Sequence, residues 1–249
     1  MHTESTATLP KWLGGTVFTP GLMAFTGDIG NTAAHSHAAV QILLVTAGEV
    51  ILTDAAGRSA PAELAIIPPG VRHRVRAAPA TTGFVAYLDS AGVAGRAAIA
   101  RLGNLPADSV TSWINAAIPR PTPVVTDQNP TSRPAGRLAY DVVARALHVA
   151  ATAGQPPSLV ELAAAVSISP SRLSHLFTEH VGLPYAAWRR WTRLQRAVGT
   201  VRAGGSLTEA AHAAGFTDSA HLTKTCRDLF GITPTEALAA TGWRPPPAK

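Results

Sequence analysis

The sequence predicts an α+β protein of two domains: an N-terminal β-barrel with short helices, then an all-α domain. Three observations carry this. Residues 15–88 are a run of short β-forming segments punctuated by Gly and Pro, the spacing of a small all-β unit. Pro119, Pro121, Pro123, Pro130 and Pro134 then fall within 16 residues, too dense for regular helix and suited to an extended, semi-stiff connection. Beyond them, SLTEAAHAAGFTDSAHLTKTCRDLFGITP from Ser206 resembles SLVELAAAVSISPSRLSHLFTEHVGLP, which starts 48 residues upstream at Ser158. The expected divisions are residues 1–118, a linker at 119–134, and 135–249.

In the first half, strands are expected at Gly15–Thr19, Val40–Thr46, Glu49–Thr53, Leu64–Ile67, His73–Arg76 and Gly83–Leu88. Ala47-Gly48-Glu49 and Ala55-Ala56-Gly57 supply hairpin turns. Side chains two apart on an extended segment share a face, so His35 and His37 project together. Gln41 opens the next strand on the same parity. After the turn at Pro68-Pro69-Gly70, Arg72, Arg74 and Arg76 share one face. That face is the outer one, which turns His73 and Val75 inward.

On these residues the first half resembles the cupin superfamily. H-x-H-x-x-x-Q at 35–41, Gly48 seven residues on, and P-x-G-x-x-H at 68–73 follow both cupin motifs. The resemblance implies a site for one divalent metal (Zn, Ni, Cu, Co or Fe) held by His35, His37, Gln41 and His73. Many metal-binding cupins have Glu where this chain has Gln41, so the ligand set here is neutral. Imidazole-rich sites suit these transition metals. The plainer reading is that the histidines line a pocket for an organic ligand.

Residues 91–118 change character. Val110, Trp113, Ile114, Ala117 and Ile118 recur at helical spacing, with Asp108 as the expected cap. This stripe packs on the barrel or pairs with its copy in a second chain.

Helical patterning resumes at Arg137, where Leu138, Val142, Ala146, Leu147 and Ala150 mark one face of a helix ending near Gly154. Ser158 with Glu161, and Ser206 with Glu209, are capping boxes, in which serine and glutamate each satisfy a free N–H. Aligning the repeats pairs Leu159 with Leu207, Ala163 with Ala211 and Ile168 with Phe216. Small Ala163 and Ala211 let two helices approach closely. The second helix of each unit is capped by Ser169 with Pro170, or by Asp218, and stops at Gly182 or Gly231. Between the units, Pro184–Ala203 carries Trp188, Trp191, Leu194 and Val198 at helical spacing. A rod of this length, roughly 30 Å, approaches the ~34 Å turn of B-DNA, so one chain can address two successive major grooves.

The second half resembles the AraC/XylS family of bacterial transcription regulators over about 105 residues, from Leu138 to Trp243. The most specific part is G-F-x-D-S-A-H-L-T-x-T-x-R-x-x-F-G-I-x-P at 215–234. The resemblance implies a tandem helix-turn-helix DNA-binding domain joined to an effector-sensing domain, frequently cupin-like. Cys226 stands where that pattern usually has Phe. By exposure and family correspondence, the expected DNA readers are Ser171, Arg172, Ser174 and His175 on one recognition helix and Ser219, His221 and Lys224 on the other. Arg189 and Arg193, with Arg190 and Arg196, are candidates for phosphate contact.

Charge agrees. Residues 135–249 hold 12 Lys/Arg against 7 Asp/Glu, a net +5, whereas residues 1–134 hold 9 against 8, a net +1. A basic half suggests a polyanionic partner. No long apolar run or signal pattern occurs, so a cytoplasmic protein without membrane association is expected. Cys226 is the only cysteine, which excludes an intrachain disulfide. The function expected is sequence-specific transcriptional regulation on double-stranded DNA under a small-molecule or metal effector, with RNA polymerase and a second copy of the chain as further partners. The alternative is a metal-dependent cupin enzyme with an appended DNA-binding domain; no carboxylate beside the histidines supplies an evident base.

Overall fold

The computed structural model describes residues 11–119 and 134–241, the backbone alone for 134–138. Most of the linker, residues 120–133, lies outside the described residues, as do Trp243 and the side chain of Leu138. Among the described residues no helix is long and apolar enough to cross a membrane.

Among the described residues eight strands form: β1 (Leu13–Thr19), β2 (Leu22–Asp28), β3 (Val40–Ala47), β4 (Val50–Asp54), β5 (Ser59–Pro61), β6 (Leu64–Ile67), β7 (His73–Ala77) and β8 (Thr82–Leu88). They pair as a five-stranded sheet ordered β1-β2-β8-β3-β6 and a three-stranded sheet ordered β5-β4-β7. No described ladder closes these into a barrel. The two sheets face each other around Leu43, Leu52, Ile67, Val75 and Val85, all fully buried. Both expected hairpin turns form, with Gly48 at φ +82° and Gly57 at φ +81°. β2 and β5 are additional to the expected strands.

Two helices follow, α1 (Val93–Ala100) and α2 (Val110–Ala117). Of the expected stripe, α2 buries Val110, Trp113 and Ala117 against the sheets, with Ala116 beside them, while Ile114 is half-buried and Ile118 is exposed. Asp108 is not its cap. Ser109 occupies that position without a side-chain bond, and the Val110 N–H donates instead to the buried Asp54 Oδ2 at 3.2 Å. Asp54 also binds Arg58, at 2.7 Å, so one carboxylate ties a hairpin to a helix start.

In the second half the described elements are all helices: α3 (Pro134–Thr152), α4 (Leu159–Ala165), α5 (Pro170–Val181), α6 (Tyr185–Arg202), α7 (Leu207–Ala213), α8 (Ser219–Phe230) and α9 (Pro234–Ala239). Both expected capping boxes are formed, and a third, Thr233 with Glu236, opens α9. Gly182 and Gly231 end α5 and α8 at φ +73° and +75°, a left-handed stop that glycine adopts without a Cβ clash. Ala163 and Ala211 are fully buried where the helices of each unit cross.

The hydrophobic cores do not divide where the sequence divides. One core joins α3, α4, α5 and the start of α6. The other joins the sheets, α2, the rest of α6, and α7 to α9. Phe18 of β1, Trp191 of α6 and Phe230 of α8 meet with ring centroids 5.3–6.0 Å apart. The second helix-turn-helix unit is thus seated on the β-rich half.

Candidate nucleic-acid interface and histidine site

Each helix-turn-helix unit presents one recognition helix. On α5, Leu173, Leu176 and Phe177 are buried. The opposite side carries Ser171 and His175, exposed, with Ser174 partly exposed and Arg172 exposed at its flank. His175 Nε2 lies 3.7 Å from Glu179. On α8, Leu222, Cys226, Leu229 and Phe230 are buried, while His221 and Lys224 are exposed. Lys224 Nζ pairs with Asp228 at 2.5 Å. At about 100° per residue, Ser219 falls roughly 160° from His221, beside the buried stripe. It starts the helix and does not share the His221–Lys224 face.

The linker helix α6 has 18 residues, about 27 Å at the usual rise. Its arginines turn to the protein. Arg189 Nε donates to the Pro156 carbonyl at 2.8 Å. Arg193 donates to the Ala214 carbonyl at 3.0 Å and to that of Gly215, and lies 4.0 Å over the Phe216 ring. Arg196 reaches the carbonyls of Ala150, Ala151 and Gly154. The physical reason is common to the last two: the final carbonyls of a helix lack partners and carry partial negative charge, so a cation there is favoured. Arg193 serves the end of α7 and Arg196 the end of α3. Arg190 binds Asp89 at 2.7 Å. The phosphate role expected for Arg189 and Arg193 therefore competes with bonds already made.

The histidine site is built by strand pairing. His35 and His73 exchange backbone bonds, 2.9 and 2.8 Å, which set their rings 4.4 Å apart. The turn at Gly70 (φ +78°) bonds back to the His37 carbonyl at 2.8 Å, and the His37 ring lies 5.1 Å from that of His73. Arg72, Arg74 and Arg76 face solvent while His73 is buried, as strand parity requires.

Ligand atoms of His35, His37 and His73 lie within 4.8 Å of one another. Gln41 Oε1 sits 3.0 Å from His37 Nε2 and 3.1 Å from His73 Nε2. Each Nδ1 contacts a backbone carbonyl: Ala33 at 2.9 Å, Ala39 at 3.0 Å and Val71 at 3.1 Å. A carbonyl only accepts, so each Nδ1 must carry the hydrogen and each Nε2 a lone pair. Three lone pairs then converge with an amide group, the donor set of a nitrogen-rich metal site whose ligand tautomers are fixed by their outer hydrogen bonds. With lone pairs on both Nε2 atoms, the Gln41 amide must turn its nitrogen to them to donate when no cation is held; its oxygen would face a bound cation as a further donor atom. Burial, and after it the neighbouring His35 and His37, pushes His73 down to about 3. Burial likewise lowers His37. Both are neutral at physiological pH, the state that binds metal. The residues fit a divalent transition metal.

Sequence reasoning missed the junction between the two sites. The Ala38 and Ala39 N–H groups, just after His37, donate to the carbonyls of Asp228 and Leu229 at 2.7 and 3.2 Å. These are end-of-helix carbonyls of α8. Asp89, at the end of β8, accepts from Arg190 and from Trp191 Nε1, each at 2.7 Å. Neither relationship has a local signal, because its partners lie more than a hundred residues apart.

Residues 162–240 match a family model described as a helix-turn-helix domain. No curated protein matches the chain. Among solved structures, a transcriptional regulator with an AraC-type DNA-binding domain from Chromobacterium violaceum is 27% identical, covering 41% of this chain and 94% of that one at TM-score 0.36. A DNA-binding transcriptional dual regulator from Escherichia coli K-12 is 23% identical over 43% and 94%, TM-score 0.34. ToxT from Vibrio cholerae, bound to an unsaturated fatty acid, spans 96% of both chains at 7% identity and TM-score 0.40. Scores this low carry no argument, and the helix-turn-helix assignment rests on the matched residues. The chain thus carries a helix-turn-helix domain, built as two units in tandem, behind a β-rich N-terminal domain.

Proposed function

We propose that the chain is an AraC-type transcription regulator rather than an enzyme, reading a specific DNA site with both recognition helices, in two successive major grooves, under control of an effector at the histidine site. The supporting observation is a pair of outward polar faces, Ser171/Ser174/His175 and His221/Lys224, held on one linker helix of about one DNA turn. Arg172 flanks the first face. Serine, histidine and lysine discriminate bases weakly, so phosphate contact and DNA shape contribute much of the affinity. The effector favoured by the converging Nε2 atoms is a divalent transition metal: zinc, nickel, copper, cobalt or iron. The division into residues 1–118, 119–134 and 135–249 belongs to this reading, as do RNA polymerase and a second copy of the chain as partners.

Gel-shift titration on promoter DNA over a salt series is the direct test. Affinity should fall steeply as salt rises. Salt-insensitive binding, or none on any promoter fragment, rejects the reading. Elemental analysis of purified protein should find near-stoichiometric metal, lost in His35→Ala.

A further inference from the structure

We propose that residues 35–39 form a mechanical link through which occupation of the histidine site sets the pose of the second recognition helix while leaving the first unaffected. This rests on the reading of His35, His37, Gln41 and His73 as the effector site.

The link is continuous and short. His37 Nδ1 donates to the Ala39 carbonyl, and the Ala39 N–H donates to the Leu229 carbonyl of α8. One residue therefore orients a ligand imidazole on one side and caps the recognition helix on the other. Ala38 caps Asp228 in the same way. His35 makes the second connection. It is seated against Gly231, the residue that ends α8, so closely that a Cβ there would lie 3.0 Å from His35 Nε2 and nearer still to Cδ2. The Cδ2–Nε2 edge of the ring, which bears the atom that would hold a cation, thus lies against the backbone that terminates the helix. Any change in His35 on binding is felt at Gly231, and any displacement of Gly231 is felt at His35.

The first unit lacks this arrangement. Gly182 ends α5 with nearly the same backbone, φ +73° against +75°. A Cβ at Gly182 would meet Val93 Cγ2 at 3.1 Å and no histidine. The two cores divide accordingly, with α5 in one and α8 in the core that contains the sheets. The coupling is therefore directed to one of two readers, the simplest route to a regulator that stays on DNA while its second contact is switched.

Coupling between sites is reciprocal, so a change at the helix end must alter metal affinity. Gly231→Ala and Gly182→Ala impose comparable left-handed strain, but only the first intrudes on His35. With the full chain stripped of metal and titrated with zinc chloride, Gly231→Ala is expected to weaken zinc binding at least about fivefold, and Gly182→Ala to leave it within about twofold. Equal effects from the two variants overturn the link. Amide exchange on the unsubstituted chain is independent of variant folding. Zinc should change exchange at residues 38, 39 and 228–232 and leave 170–182 unchanged. Zinc that binds without altering 38, 39 or 228–232 overturns the link alone. No zinc binding at all overturns the metal reading and the link with it.

Discussion

Asp89 Oδ2 accepts the indole N–H of Trp191 across 2.7 Å, and the same oxygen accepts Arg190 at 2.7 Å. The carboxylate is 2% exposed and ends a strand, whereas both donors stand on the linker helix. Its other oxygen accepts the Ala91 N–H at 3.0 Å. This residue holds the β-rich half to the helix that carries both readers. Asp89→Ala leaves a fully buried indole N–H without a partner, a loss of about 1–3 kcal/mol. Urea unfolding followed by tryptophan fluorescence should show that loss, with Trp191 emission shifted to the red. An unchanged midpoint counts against the latch.

Acid should weaken the metal-free protein through its histidines. His73 is held far below its ordinary 6.5, at about 3, by burial and by its histidine neighbours. Between those limits the unfolded chain binds a proton that the folded chain does not. Stability from this group is therefore complete above pH 6.5 and declines as pH falls toward 3. One such histidine gives a slope of about 1.4 kcal/mol per pH unit. His37, lowered mainly by burial, adds to it. Denaturant midpoints of zinc-free protein at pH 7, 6 and 5 should fall in order, in a range where carboxylates contribute little. His73→Gln should flatten the fall; a parental profile as flat as the variant's refutes the assignment.

Much of this site was legible in the residues. Strand parity alone turns His73 inward and Arg72, Arg74 and Arg76 outward, because a two-residue period admits no other arrangement once one face is buried. The capping boxes at Ser158 and Ser206 mark helix starts because their hydrogen bonds are local. What was not legible is non-local or weakly coded. β5 is three residues long, and β2 ends in Gly27 and Asp28, poor strand formers that tertiary pairing overrides. Helix α1 is rich in Ala and Gly, with no apolar stripe to read. Barrel closure is a pairing property that strand lengths do not determine. The seating of α8 on His35 depends on two segments nearly two hundred residues apart.

Cys226 faces a small apolar cavity of about 50 Å³ shared by β1, β2, α6, α8 and α9, with Phe18, Met23, Leu194 and Leu222 among its lining. The space fits the expectation that a side chain smaller than the Phe usual in the pattern this stretch resembles loosens packing beneath α8. Burial pushes the thiol up to about 12, so little thiolate exists at neutral pH and maleimide should label the native chain slowly. Labelling should accelerate under any condition that lifts α8 from the sheets, which makes this cysteine a reporter of that contact. Cys226→Leu adds apolar volume close to that of the cavity and is expected to raise stability by about 0.5–2 kcal/mol. A loss of stability would mean that the cavity walls do not yield to the longer side chain.

Arg172 and Arg193 separate phosphate contact from structural support. Arg172 stands exposed at the flank of the first recognition helix. Arg193 is partly buried, bonds the carbonyls of Ala214 and Gly215, and lies over Phe216. Arg172→Ala should weaken DNA binding on specific and non-specific sequences alike and lower the slope of log affinity against log salt by about one. Thermal stability should not move, because no fold contact is lost. Arg193→Ala removes the cation that closes the end of α7 and a ring contact beneath the second unit, together about 1–3 kcal/mol. Its salt slope should stay near the parental value, since a guanidinium already bonded to carbonyls releases few counterions from DNA. Gel shifts at 50 and 200 mM salt, a range over which phosphate contacts lose affinity by orders of magnitude, with melting curves on both variants, decide the matter. A salt slope lowered by Arg193→Ala as much as by Arg172→Ala would show that Arg193 exchanges its carbonyl partners for phosphate on DNA.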